Sequence, residues 1–428
     1  MGRGFAARQA VTACAVAAVT LGAVSACTSS APPPPGTRAG GSTSTASAPA
    51  SASASGVASG GPSPVPALPT RALASPGCSG AIATGATLGA AGTTSVQTGG
   101  NPLGVAVTPD GRWAFAVSFT IPSVEVLRLT SGGSAPAMTE VRSIPLPAAP
   151  GVTAAGATVT PDGKYLLVAE GPGATVISVA RAEAGTAGAV LGSLSVPAPA
   201  GSAGPPEGAS EVVVSPDSRF AFVTLEYDYE AAVFNLAGAL AHGFGTAGYV
   251  GAIPLGQATV GMAVSPDGRW LYATSEVETA APRPGGGPAP GGCRGEVAQT
   301  WPGEPPGTLT VVDLPRAETD PARSVTATVA AGDQPVRVVT AADGTQVWVT
   351  ARASDDVLCF SAARLASDPA HALVAVTRVG SEPVGLAAVR GGTLLVVADS
   401  NRFGASGETS ELSVVSVAAA LAGRPAVV

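Results

Sequence analysis

The chain has 428 residues, of which only 12% are charged and 4% aromatic, with a formal net charge of −7. No Lys/Arg cluster interrupts this acidic balance, which argues against a nucleic-acid partner and against electrostatic binding to an anionic membrane. The 46% of hydrophobic residues are mostly Ala and Val, the makeup of strands built from small side chains.

Residues 1–26 read as a secretion signal, with Arg3 and Arg8 ahead of an apolar run from Val11 to Val24 that is too short to span a bilayer. Val24-Ser25-Ala26-Cys27 resembles the lipobox of bacterial lipoproteins, which implies cleavage before Cys27 and a lipid on that residue; the same tripeptide also suits ordinary secretion. Cleavage removes two arginines and no acid, leaving −9. The expected location is the outer face of the cytoplasmic membrane, with the lipid as the only membrane contact.

Residues 27–77 are almost wholly Ser, Ala, Thr, Pro and Gly, including Pro32 to Pro35, and read as a disordered tether. A flexible chain of that length reaches about 40 Å. Residues 78–428 then carry one recurrent block, strand, turn, strand: GVAVTPDGRWAFAVS from Gly104, GATVTPDGKYLLVAE from Gly156, SEVVVSPDSRFAFVT from Ser210 and GMAVSPDGRWLYATS from Gly261, with two worn copies from Arg337 and Gly385. Asp110, Asp162, Asp217, Asp267, Asp343 and Gly391 mark the turns at intervals of 52, 55, 50, 76 and 48 residues. The long interval holds an inserted Pro/Gly loop at 281–307. In each turn Pro presets φ, Asp caps with its side chain and Gly takes positive φ, so these aspartates are structural.

A third apolar run comes after each hairpin and, in all copies but the last, a fourth strand ending in a short Gly/Pro connector; four antiparallel strands repeated in this way are the sequence form of propeller blades. The expected fold is therefore all-β, a single β-propeller of six blades, with seven as the alternative if residues 78–92 form a degenerate unit. The last copy stops after its third strand, while Thr94–Gly99 ahead of the first matches the fourth-strand pattern. That N-terminal strand is expected to close the ring and remove exposed sheet edges. The string V-A-V-[ST]-P-D-G-R-W, the Val-rich third strand and the Gly-x-x-Pro connectors together resemble the YVTN-type repeat of YncE-like and lactonase-like propellers over about residues 93–417. The resemblance implies a fold and extracytoplasmic binding, and it delivers no catalytic residues.

Chemistry is sparse. His242 and His371 are the only histidines, so a Ser-His-Asp arrangement is improbable, a multi-His metal site is excluded by count, and no metal site is assigned. Cys359, inside Val357–Phe360, reads as a buried thiol; Cys78 and Cys293 lie in Gly-rich loops of an exported chain and are the expected disulfide pair. The loops joining second and third strands emerge opposite the Pro-Asp-Gly turns and vary from blade to blade. They carry Glu170, Glu226, Asp228, Tyr229, Glu276, Arg352 and Asp399, the candidate ligand-binding set, of which Glu226, Tyr229, Glu276 and Arg352 are expected to converge near the central channel.

Two functions stay open at this level. One is a surface-tethered, non-enzymatic module, read as a monomer, that binds an envelope protein or ligand without a cofactor. The other is a lactonase-like hydrolase using the loop carboxylates, with a divalent cation as an optional helper.

Overall fold

The computed structural model describes residues 96–98, 101–119, 121–130, 137–147, 154–198, 208–277, 307–401 and 410–428. The signal segment, Cys27, the tether, Cys78, Cys293 and residues 281–306 of the insertion lie outside the described residues.

The described chain is six consecutive antiparallel sheets, one per sequence repeat, arranged as a propeller ring. Blade 1 is β1 (Pro102–Val107), β2 (Trp113–Ser118), β3 (Ser123–Thr130) and β4 (Ala137–Pro145). Blade 2 is β5 (Ala154–Val159), β6 (Tyr165–Glu170), β7 (Gly173–Ser178) and β8 (Val190–Ser195). Blade 3 is β9 (Ala209–Val214), β10 (Phe220–Leu225), β11 (Glu230–Asn235) and β12 (Tyr249–Pro254). Blade 4 is β13 (Gln257–Val264), β14 (Trp270–Val277), β15 (Thr308–Asp313) and β16 (Val325–Ala330). Blade 5 is β17 (Pro335–Thr340), β18 (Gln346–Ala351), β19 (Asp356–Ser361) and β20 (Leu373–Arg378). Blade 6 has three strands, β21 (Pro383–Val389), β22 (Leu394–Asp399) and β23 (Glu411–Ser416). The first strand of each blade is innermost, and β1, β5, β9, β13, β17 and β21 pack one against the next around the channel.

The hairpin turns show why the repeat needs its residues. In blade 1 the Thr108 hydroxyl donates to Asp110 Oδ1 (2.5 Å) and accepts from the Trp113 N–H (3.1 Å), while Asp110 also takes the Arg112 N–H (3.0 Å). Thr160 with Asp162, Ser215 with Asp217 and Ser265 with Asp267 repeat the arrangement at 2.6 Å. Thus the hydroxyl before Pro-Asp-Gly is as much a part of the turn as the aspartate. Asp343 has no such neighbour and is held by the Thr345 N–H and hydroxyl instead.

In blades 2 to 6 the third strand runs directly into a short helix, where the sequence reading had strands alone: α1 (Val179–Ala184), α2 (Leu236–His242), α3 (Leu314–Ala317), α4 (Ala362–Ser367) and α5 (Val417–Leu421). Each starts at the strand's last residue, Ser178, Asn235, Asp313, Ser361 or Ser416, whose side chain accepts a backbone N–H of the first turn.

Apolar residues from alternate faces of neighbouring sheets form a core at each junction from blades 1 and 2 through blades 5 and 6. Among the described residues no such core joins blade 6 to blade 1. The expected closing strand at 94–99 is described only at Val96–Thr98, which lie in no strand, and Val96 packs on Ala114, Ala116 and Leu127 of blade 1. The outer edge of β23 is met by the C-terminal tail instead. Gly423, at φ +64°, reverses the chain after α5, so Ser416 N–H donates to Ala426 O (2.7 Å), Val428 N–H to Val414 O (2.9 Å), and Val415 bridges Val427.

Candidate functional site

The end of the channel away from the hydroxyl-aspartate turns carries the blade-to-blade connectors and the second-to-third-strand loops. Its most organised part lies over blades 3, 4 and 5. Glu276, near the end of β14, and Arg352, just after β18, come from successive blades and meet there: Arg352 Nη2 donates to both Glu276 oxygens, at 3.1 and 2.9 Å. Both side chains are largely buried. Tyr229, in the loop before β11, sits at φ +60° and accepts a hydrogen bond from Gln257 Nε2 at the start of β13 (3.3 Å), linking blades 3 and 4.

A second ion pair lies deeper. Glu211 on β9 and Arg337 on β17 are joined through Glu211 Oε2 and Arg337 Nη1. They occupy the register position held by Gly104, Gly156, Gly261 and Gly385 in the other four copies. Glu211, Gly261 and Arg337 each donate their backbone N–H to the matching threonine of the second strand, Thr224, Thr274 and Thr350. Because blade 4 separates blades 3 and 5, the two side chains must reach past β13 on its channel side. Gly261, at the same level of β13, packs directly on β17, where a Cβ would run into Val336 O. Glu211 is 14% and Arg337 33% exposed, as expected for groups lining a water-accessible channel. Burial lowers the Arg337 pKa, but a guanidinium at this depth stays charged. Arg352 N–H donates to Gln334 O (3.0 Å), so the upper pair sits about three residues, roughly 10 Å, along β17 from Arg337.

Glu170 and Asp399 belong to blades 2 and 6 instead. Glu170, 6% exposed at the end of β6, accepts from the Thr175 hydroxyl and has a buried Oε2 without a partner; burial raises its pKa. Asp399 is buried in blade 6, accepts from Ser413 (2.6 Å), and is likewise pushed up by burial. Asp228 has a raised pKa from burial, and Glu230 from burial and then from Asp228. Glu226 donates its N–H to Gly208 O (3.0 Å) and its charge raises the neighbouring Tyr227. Of the four residues expected to converge, Glu276 and Arg352 do so and Tyr229 bridges to the next blade. Glu211 and Arg337 were missed, although the aligned repeats show them as the two charged residues among four glycines.

Among the described residues no three His, Cys, Asp or Glu side chains are placed to hold a metal ion. His371 Nδ1 lies 3.0 Å from Asp368 at the exposed surface. Two hollows, of about 320 and 400 Å³, lie at the outer strands of blades 1 and 2 and contain none of the candidate residues.

A family model described as Lactonase, 7-bladed beta-propeller, matches residues 81–279. The match runs from ahead of blade 1 to the end of β14. No curated protein matches the chain. Among solved structures, the periplasmic gluconolactonase PpgL of Pseudomonas aeruginosa is 20% identical, with a TM-score of 0.54 over 75% of this chain and 83% of that one. A Bacteroides uniformis protein provisionally named a 6-phosphogluconolactonase is 15% identical, with a TM-score of 0.53 over 76% and 84%. Hydrazine synthase of Kuenenia stuttgartiensis gives 16% and 0.51 over 74% and 84%. At these identities the structural likeness establishes the fold alone.

Proposed function

We propose that this chain is a hydrolase that opens a cyclic ester at the channel end over blades 3 to 5. The observation that carries the reading is the Glu211–Arg337 pair, a base and a fixed cation held together at the inner-strand position where the other four repeats carry glycine. The lactonase-family match and the gluconolactonase likeness support hydrolysis over the purely binding role that the sequence had favoured.

Chemically, a lactone entering between the two groups places its carbonyl oxygen against the Arg337 N–H donors, which stabilise the charge of the tetrahedral intermediate. Glu211 takes a proton from the attacking water. The new bond is water oxygen to carbonyl carbon; the bond that breaks is the ring C–O, and the proton on Glu211 passes to the departing alkoxide. The product is the open hydroxy acid. Glu276 fixes Arg352 at the mouth, where it meets the substrate first.

The test is acid release from γ- and δ-lactones, gluconolactone included, by the wild type, Glu211→Gln and Arg337→Ala. The wild type is expected to exceed background and Glu211→Gln to lose about 10²-fold or more in kcat/KM. Activity is expected to survive dialysis against a chelator, since Glu211 supplies the base. No turnover of any lactone by the wild type, or full activity in both variants, overturns the reading. The reading extends to the leader: a lipid on Cys27 would hold the hydrolase outside the cytoplasmic membrane, and fatty-acid labelling of wild type against Cys27→Ala tests that part separately.

A further inference from the structure

We infer that the loop end of blade 6 binds a calcium ion through Asp399, Asn401 and Glu411. Asp399 ends β22, Glu411 begins β23, and the two are directly opposite in the pairing register. The equivalent pairs in the other blades are Ser118 with Ser123, Glu170 with Gly173, Leu225 with Glu230, Ser275 with Thr308 and Ala351 with Asp356. Among the six described blades, blade 6 alone sets two carboxylates against each other. Like charges directly opposite destabilise a sheet. Neither carboxylate is in an ion pair among the described residues, so no side chain there relieves the repulsion.

Acceptors without donors accompany the pair. Asp399 is 1% exposed; its Oδ2 accepts the Ser413 hydroxyl (2.6 Å), while its Oδ1 is buried with no hydrogen bond. Asn401, two residues on, has a buried Oδ1 that likewise has none. The Asn401 N–H donates to Ser381 O (3.2 Å), next in the chain to Gly380. Gly380 shows how closely the oxygens converge: its N–H donates to Ser413 Oγ (3.3 Å), and a Cβ on it would stand 2.5 Å from Glu411 Oε1 and 2.7 Å from Asp399 Oδ2. A side chain at 380 would fill the space the two carboxylates share. A water donating to the orphaned oxygens leaves both negative charges in place, whereas a cation satisfies the oxygens and neutralises the pair. Donors that are all oxygen, two charged and one an amide, with water free to complete the shell, suit calcium; magnesium demands a near-ideal octahedron and zinc prefers nitrogen and sulfur. The set holds two acids only, so it is distinct from the three-acid groupings that the described residues lack. Glu211 lies on blade 3, so the ion takes no part in ester opening.

The test titrates calcium chloride into the full chain, first stripped with a chelator, and follows it by calorimetry and by melting temperature. One site with a Kd of about 10⁻⁴ to 10⁻³ M is expected, with a melting temperature that rises as calcium is added. Asp399→Asn and Glu411→Gln are each expected to weaken binding tenfold or more and to abolish the rise. Glu411 is exposed, so Glu411→Gln keeps the test decisive even if Asp399→Asn folds poorly. No heat and no rise at about 10 mM calcium, well above that Kd, overturns the inference. An equal rise with magnesium chloride, or a rise undiminished in Glu411→Gln, overturns it too.

Discussion

Glu211 and Arg337 form an ion pair although the blades that carry them are separated by a third. Each is partly buried, so removing one leaves the other poorly hydrated. Arg337→Ala and Glu211→Ala are each expected to cost about 1–2 kcal/mol, below the range for a fully buried pair because water reaches Arg337. The double variant should cost less than the sum of the two. Denaturant melts of all four proteins check this, and strict additivity would show that the pair contributes nothing as a pair.

Cys359 provides a readout of blade integrity. It is fully buried opposite Trp348, and burial pushes its thiol up to about 12. Alkylation at pH 8 is therefore expected only after unfolding, at the rate of global opening. Cys359→Ser puts a hydroxyl into the apolar contact of blades 5 and 6 and should cost about 1–3 kcal/mol. Rapid alkylation of the native protein would contradict the burial.

The repeat spacing makes the six sheets legible in the sequence, because Pro-Asp-Gly turns and period-two apolar runs are local signals. The short helices are not legible there, since a Ser or Asn ending an apolar run reads equally well as a strand residue until its side chain is seen to cap. For the site, loop charges point equally to Glu276 and Arg352, which the structure brings together, and to Glu170 and Asp399, which the pleat turns inward. Thr94–Gly99 resembles a fourth strand, but only Val96–Thr98 of it lie within the described residues, outside any strand, and the outer edge of β23 is met by the C-terminal tail, a pairing that no local pattern announces.

The hydroxyl-aspartate turns predict an acid limb in stability. At Asp267 the Ser265 hydroxyl, and next the Arg269 N–H, hold the carboxyl below its usual range. A depressed folded-state pKa stabilises above the unfolded value, near 3.9, and the contribution is lost as pH falls through the folded one. Asp110 and Asp343 shift the same way, the former through Thr108 and the latter through the Thr345 N–H. Melting temperature should therefore fall steeply below about pH 4. Asp267→Asn should lower it at pH 7 while flattening that slope; an unchanged slope would remove the turn from the account.

Asp356 gives the opposite sign. It begins β19 beside Asp355, opposite Arg378 in the pairing register, and burial pushes its carboxyl up to about 6; Arg378 pulls it back, and Asp355 and Asp333 push it further. Between the unfolded value near 3.9 and that folded value the native protein holds a proton the unfolded chain has released. Stability from this group is thus complete below about pH 4 and is lost as pH rises through about 6. Asp356→Asn keeps the shape and removes the ionisation. The variant should melt close to wild type at about pH 4 and above it at about pH 7.5, with the difference growing chiefly between about pH 4 and 6. The pH at which the difference stops growing, read from paired melting curves, reports the folded-state pKa. A constant difference across the range would mean that Asp356 ionises without cost, and the raised value would be wrong.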